Sequence, residues 1–149
     1  QRQMCIRDSF KLLSKKKLKP RDGVLEVIEY ASIHNIKIGF ITTTTKDTLD
    51  LVINNLSNQV DFSKFDLITH DELVSKRKPD PEIYKFALKK LEVMHSSSLA
   101  IENTIENCRS AMNANIQTLL YPGEYTTYEE SSLISKDIFK SVKSFFEEG

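Results

Sequence analysis

The stretch Lys37-Ile38-Gly39-Phe40-Ile41-Thr42-Thr43-Thr44-Thr45 is a short apolar run closed by four threonines. A run of that length, bounded by polar residues, reads as a buried strand. Beyond it Leu49, Leu51, Val52, Ile53 and Leu56 are the apolar positions of a helix. Strand, hydroxyl loop and helix start together form a geometry in which hydroxyls and backbone N–H groups converge on an anion such as phosphate. Threonine is also β-prone and caps helices, so each of the four reads equally as a structural residue.

The same alternation extends in both directions. Phe65–Thr69, Leu99–Ile101 and Ile116–Tyr121 are further short apolar runs. Helical spacing covers Val24, Leu25, Val27, Ile28 and Ala31, and also Ile83, Phe86, Ala87, Leu88 and Leu91. A third helix is expected over 105–114, with Ile105, Cys108, Ala111 and Met112 inward, and a last one carries Ile138, Val142, Phe145 and Phe146. Asn35 and Asn115 stand where left-handed helix stops are expected. Residues 124–135 read as an irregular surface segment. Strands near 37–42, 65–69, 99–102 and 116–121, separated by helices, predict an α/β fold. Its parallel sheet is doubly wound, with helices on both faces.

Composition narrows the function classes. The chain has 149 residues, 40% of them hydrophobic, and a formal net charge of zero. That suits one globular domain and gives no reason to expect nucleic acid or a membrane surface as partner. The run Lys15-Lys16-Lys17 reads as a solvated helix end or linker. No apolar stretch has the length of a membrane span, and no secretory signal is visible. Two cysteines, Cys5 and Cys108, do not make a disulfide framework, so a cytoplasmic setting is expected. The histidines lack zinc spacing. Residues 1–9, Gln-Arg-Gln-Met-Cys-Ile-Arg-Asp-Ser, resemble translated sequencing-adapter read-through and are set apart from the fold. Residues 10–20 read as a helix tail and linker, and 21–149 as the core domain.

A second informative stretch is Ser75-Lys76-Arg77-Lys78-Pro79-Asp80-Pro81-Glu82. Pro79 keeps Lys78 extended, Asp80 is an N-cap, and Pro81 suits the first helical position. Lys78 is thus held stiffly before a helix N-terminus, where an ammonium suits a phosphate oxygen. In open α/β sheets ligands sit beyond the carboxyl ends of the strands. Thr42 and Thr43, then Lys78, then Glu102 and Asn103 all fall at that edge. Hydroxyl, ammonium and carboxylate gathered there make a coherent site for a phosphate and a magnesium ion, which takes oxygen ligands.

These residues carry a resemblance. Thr42, the Lys78-Pro79-Asp80-Pro81 loop and Glu102-Asn103-Thr104 resemble the second, third and fourth motifs of the haloacid dehalogenase-like superfamily. The branch they resemble holds phosphoglycolate phosphatases, β-phosphoglucomutases and CbbY-type sugar phosphatases. Lys19-Pro20-Arg21-Asp22-Gly23-Val24 resembles the re-entry from that branch's helical cap, so 10–20 would be the cap's tail. Tyr121–Thr126 resembles the last strand and its turn.

The resemblance implies a phosphatase for small phosphorylated metabolites that works through an aspartyl-phosphate. A phosphomutase and a catalytically silent binding domain stand as alternatives. Thr42 and, less firmly, Thr43 would bind the phosphoryl group. Lys78 would offset negative charge, and Glu102 with Asn103 would hold Mg2+. The chain departs from the family in two places. No Asp-x-Asp nucleophile motif occurs before residue 20. Asn103 stands where the family has aspartate, and Glu106 is expected to face solvent. A truncated chain is therefore expected, without activity of its own and with an open sheet edge that invites aggregation.

Overall fold

In a computed structural model the structure describes residues 19–122 and 134–148. The readings of 1–18 and most of 124–135 lie outside the described residues. In chain order the elements are α1 (Val24–Ile33), β1 (Gly39–Phe40), α2 (Lys46–Leu56), β2 (Leu67–Ile68), α3 (Glu82–Leu91), β3 (Leu99–Glu102), α4 (Ile105–Asn113), β4 (Gln117–Leu120) and α5 (Ile138–Glu148). Strand β1 pairs with β2 in parallel, Gly39 opposite Leu67, and β3 pairs with β4 in parallel, Leu99 opposite Gln117. No described helix is long and apolar enough to cross a membrane.

Successive strand residues go to opposite sides, as the period of two requires. Phe40, Leu99 and Ile101 join Val24, Ile28, Val52, Leu56, Ile138 and Val142 in one apolar cluster, which draws on α1, α2 and α5. Ile41 and Ala100 join Ile83, Tyr84, Ala87 and Ala111 in another, which draws on α3 and α4. Among the described residues the two strand pairs form two separate two-stranded sheets, and helices lie on both faces of them, as the alternation predicted. β1 and β3 are buried along their whole length, which explains why those runs read as apolar without a polar face.

The caps follow the local sequence. Thr45 accepts from the Thr48 N–H at the start of α2, and Thr104 accepts from the Asn107 N–H at the start of α4. Asn35 and Asn115 take the left-handed conformation expected of them, and Glu92 takes it too, at the end of α3. Asp80 caps α3 by accepting from the Glu82 N–H at 2.9 Å, and the helix begins one residue after Pro81.

Two inward assignments on α4 need correction: Met112 is 44% exposed, and Ile105 is only half-buried. The apolar positions Leu25 and Leu51 are 44% and 49% exposed. Buried faces here are narrow because each helix packs on one side of a thin sheet, so a neighbouring apolar residue turns outward. Ser110 takes an inward place on α4, where its hydroxyl donates to the Asp80 carbonyl at 2.7 Å.

Gly23 opens α1 at φ 85°, and a Cβ built there would lie 2.8 Å from Cγ1 of Ile138 on α5. A side chain at that backbone conformation costs about 1–2 kcal/mol before any clash. Gly23→Ala is expected to lower unfolding stability by at least that amount in urea titration. An unchanged midpoint would separate α1 from α5.

Candidate active site

The site is built from the loop before α3 and the carboxyl ends of β1 and β3. Glu82, in the first turn of α3, reaches back over the loop. Its carboxylate accepts from the Ser75 N–H at 2.9 Å and the Lys76 N–H at 3.0 Å, and also from the Ser75 hydroxyl. The backbone hydrogen bond from Ser75 is the main cause that holds its pKa below the usual carboxylate value. The loop is thereby braced at both ends, by Glu82 and by the Asp80 cap. A cis Lys78–Pro79 peptide lies between them.

From that loop the Lys78 side chain runs into the protein, with 3% of it exposed. Its ammonium donates to the Ile41 carbonyl at 3.0 Å and to Oε2 of Glu102 in a short contact. Glu102 ends β3 and is fully buried. The Tyr84 hydroxyl donates to the same Oε2 at 2.5 Å. The other oxygen, Oε1, is buried with no hydrogen-bond partner among the described residues. Burial pulls the Lys78 ammonium below its ordinary pKa, and the Glu102 carboxylate opposes that shift. Burial likewise pushes the Tyr84 phenol well above its usual value and the Cys108 thiol up to about 12, with Glu102 reinforcing both.

Thr42 follows β1 and is 1% exposed. Its backbone is clamped by Thr69, whose hydroxyl accepts from the Thr42 N–H and donates to the Thr42 carbonyl, both at 2.8 Å. The Thr42 hydroxyl accepts from the Thr44 N–H at 3.1 Å. As an acceptor there, its own O–H is left to donate. Thr43 is half-buried and makes no side-chain hydrogen bond among the described residues. Asn103 is buried, and its side-chain carbonyl accepts from the Asn107 amide at 3.3 Å. Glu106 is exposed, as expected.

The structure thus brings Lys78 and Glu102 into direct contact, and sets Lys78 on the carbonyl of the residue before Thr42. The described hydrogen bond of Asn103 runs to α4. For a cation, the fit is partial. Glu102 Oε1 is an unpartnered buried oxygen of the right chemistry, and the Asn103 carbonyl is a second oxygen close by in sequence. Among the described residues no group of three or more His, Cys, Asp or Glu could hold a metal.

Sequence reading missed Tyr84 and Thr69. Tyr84, Ala87 and Leu91 follow the i, i+3, i+7 spacing of one helix face, a signal that was present. Thr69 follows β2, and its hydroxyl reaches the Thr42 backbone after β1, a relation that only the pairing of the two strands supplies.

The sequence profile of the haloacid dehalogenase-like hydrolases matches residues 2–121. The chain belongs to that hydrolase family. Among its relatives, Protein CbbY of Cereibacter sphaeroides is 28% identical over 80% of this chain and 52% of that protein. The Phosphorylated carbohydrates phosphatase of Thermotoga maritima is 29% identical over 68% of this chain and 46% of that protein. The crystal structure of CbbY from Rhodobacter sphaeroides in complex with phosphate superimposes with a TM-score of 0.74. It is 25% identical, over 97% of this chain and 62% of that one. This haloacid dehalogenase-like hydrolase lies in the CbbY-like branch, and it spans about half the length of the curated relatives it matches.

Two predictions follow from the geometry. Thr69→Val removes both bonds that hold the Thr42 backbone, leaving buried groups unpaired, and is expected to cost about 1–3 kcal/mol in chemical denaturation. A loss within measurement error would mean the clamp is redundant. The second concerns alkaline pH. In the folded chain Cys108 keeps its proton up to about 12, whereas unfolded it releases it near 9.0. Its contribution to stability is therefore complete below 9.0 and is lost as pH rises toward about 12, with Tyr84 adding in the same sense from 10.0 upward. Lys78, shifted downward, acts oppositely below 10.5. The melting temperature should fall over that alkaline range, and Cys108→Ala should flatten the fall.

Proposed function

We propose that the chain forms the phosphate-facing rim of a phosphatase for small phosphomonoesters of the sugar phosphate type, within a protein of its relatives' length. The observation that supports this reading is the buried Lys78 ammonium, shared between the Ile41 carbonyl and the Glu102 carboxylate. An ammonium held on two strand ends can turn toward a phosphoryl oxygen without a large rearrangement, and positioning of charge is most of what phosphoryl transfer needs from a protein. Thr42 is assigned to donate its free O–H to the same phosphoryl group. Thr43 is a flanking donor.

Glu102 and Asn103 would hold Mg2+, which when bound offsets charge on the phosphate. The reaction requires a carboxylate nucleophile that forms an aspartyl-phosphate, later released by water. These 149 residues contain no Asp-x-Asp pair, so the nucleophile is assigned to the part of the protein outside them. The names of two relatives, a phosphatase of phosphorylated carbohydrates and a CbbY bound to phosphate, support the substrate class. A cytoplasmic setting completes the proposal.

One observation favours a second reading, a binding domain that kept the fold without the chemistry. Asn103 carries no charge, and its carbonyl is already engaged by Asn107. Asn103→Asp separates the two. A magnesium-dependent hydrolase should bind the ion more tightly after this change, in titration calorimetry on the full-length protein. An unchanged magnesium response favours the binding domain.

The central test is Lys78→Ala in the full-length protein. Turnover of an aryl phosphate with Mg2+ is expected to fall by about a hundredfold or more, with the circular dichroism spectrum retained. Near-normal turnover would remove Lys78 from the chemistry. The 149-residue chain alone is expected to show no turnover.

A further inference from the structure

We propose that Tyr84 is a positioning residue for Glu102, which ties one carboxylate oxygen in place so that the other is presented to a divalent cation. The inference rests on the reading of Glu102 as a cation ligand. Its starting point is an asymmetry. Two donors, the Lys78 ammonium and the Tyr84 hydroxyl, converge on Oε2, while Oε1 has no partner although the whole side chain is buried. A carboxylate facing a single ammonium can turn its plane widely, because rotation about its last bond is soft. With two donors on one oxygen, turning the plane away strains both bonds at once, so the second oxygen keeps one direction.

Tyr84 can serve this purpose because packing encloses its ring on all sides. It is fully buried and packed in the cluster that holds Ile41, Ile83, Ala87, Ala100 and Ala111. The Lys78 ammonium lies 5.1 Å from its ring centroid, so the ring also stabilises the charge that shares the carboxylate. A phenylalanine would fill the same volume and keep the ring under the ammonium. Only the bond to Glu102 requires the hydroxyl. Leaving a buried carboxylate oxygen unpaired is costly, and a cation is the partner of matching charge and chemistry.

Binding of Mn2+, followed by electron paramagnetic resonance on the full-length protein, tests this against the melting temperature of each variant. Tyr84→Phe is expected to weaken Mn2+ binding by about tenfold, the usual effect of removing a group that orients a metal ligand. Glu102→Gln is expected to weaken it further. If Glu102→Gln weakens binding and Tyr84→Phe lowers only the melting temperature, Tyr84 is a structural residue and the proposal is overturned. If Glu102→Gln leaves binding unchanged, the cation reading fails and takes this one with it. Should Tyr84→Phe fold poorly, fluorotyrosine at position 84 keeps the ring and alters the donor. An Mn2+ affinity equal to that of the unmodified protein would then overturn the proposal.

Discussion

The buried ion pair between Lys78 and Glu102 is the constraint on which the site depends. Removing two charges from water costs several kcal/mol per ion, and attraction alone does not reliably recover that. The pair is tolerable because its neighbours supply hydrogen bonds, the Ile41 carbonyl to the ammonium and the Tyr84 hydroxyl to the carboxylate. Those bonds also tie three parts of the chain to one point: the loop before α3, the end of β1 and the end of β3. Such a pair adds little to stability for its cost. What it does is hold an ammonium and a carboxylate together at the ends of β1 and β3.

Everything else positions that pair. Strand residues alternate between two apolar clusters, so Ile41 and Ala100 face α3 and α4 while Phe40 and Ile101 face α1, α2 and α5. Glu102 continues the alternation from Ala100 and therefore points toward the α3–α4 side, where Lys78 and Tyr84 are. Thr69 locks the backbone of Thr42 at the neighbouring strand end. Glu82 and Asp80 brace the loop from which Lys78 departs. The carboxylate thus rests on β3, while the hydroxyl follows β1 and the ammonium leaves a loop braced by Glu82 and Asp80.

The hydrolase family and the geometry complement each other. Family membership accounts for the order of the motifs, and the geometry accounts for why those residues must come in that order along a doubly wound sheet. Asn103 is the point of tension. An amide in place of a carboxylate keeps an oxygen and loses a charge, and here that oxygen is already used by Asn107. The second oxygen of Glu102 is the one buried side-chain polar atom without a hydrogen-bond partner among the described residues.

By itself the sequence determined the order and type of the elements, and the residues that cap and stop them. Apolar runs, Asp80 with its prolines, Thr45, Thr104, Asn35 and Asn115 act within a few residues of themselves, so local chemistry is enough to read them. It also determined that Thr42, Lys78 and Glu102 belong to one edge, since strand ends in a parallel sheet share a side. Tertiary structure alone decided how the Glu102 carboxylate is oriented, that Tyr84 bonds to it and Thr69 to the Thr42 backbone, and that Leu25, Leu51 and Met112 turn outward. Those outcomes depend on distances between residues far apart in the chain, and no periodicity along the sequence encodes such a distance.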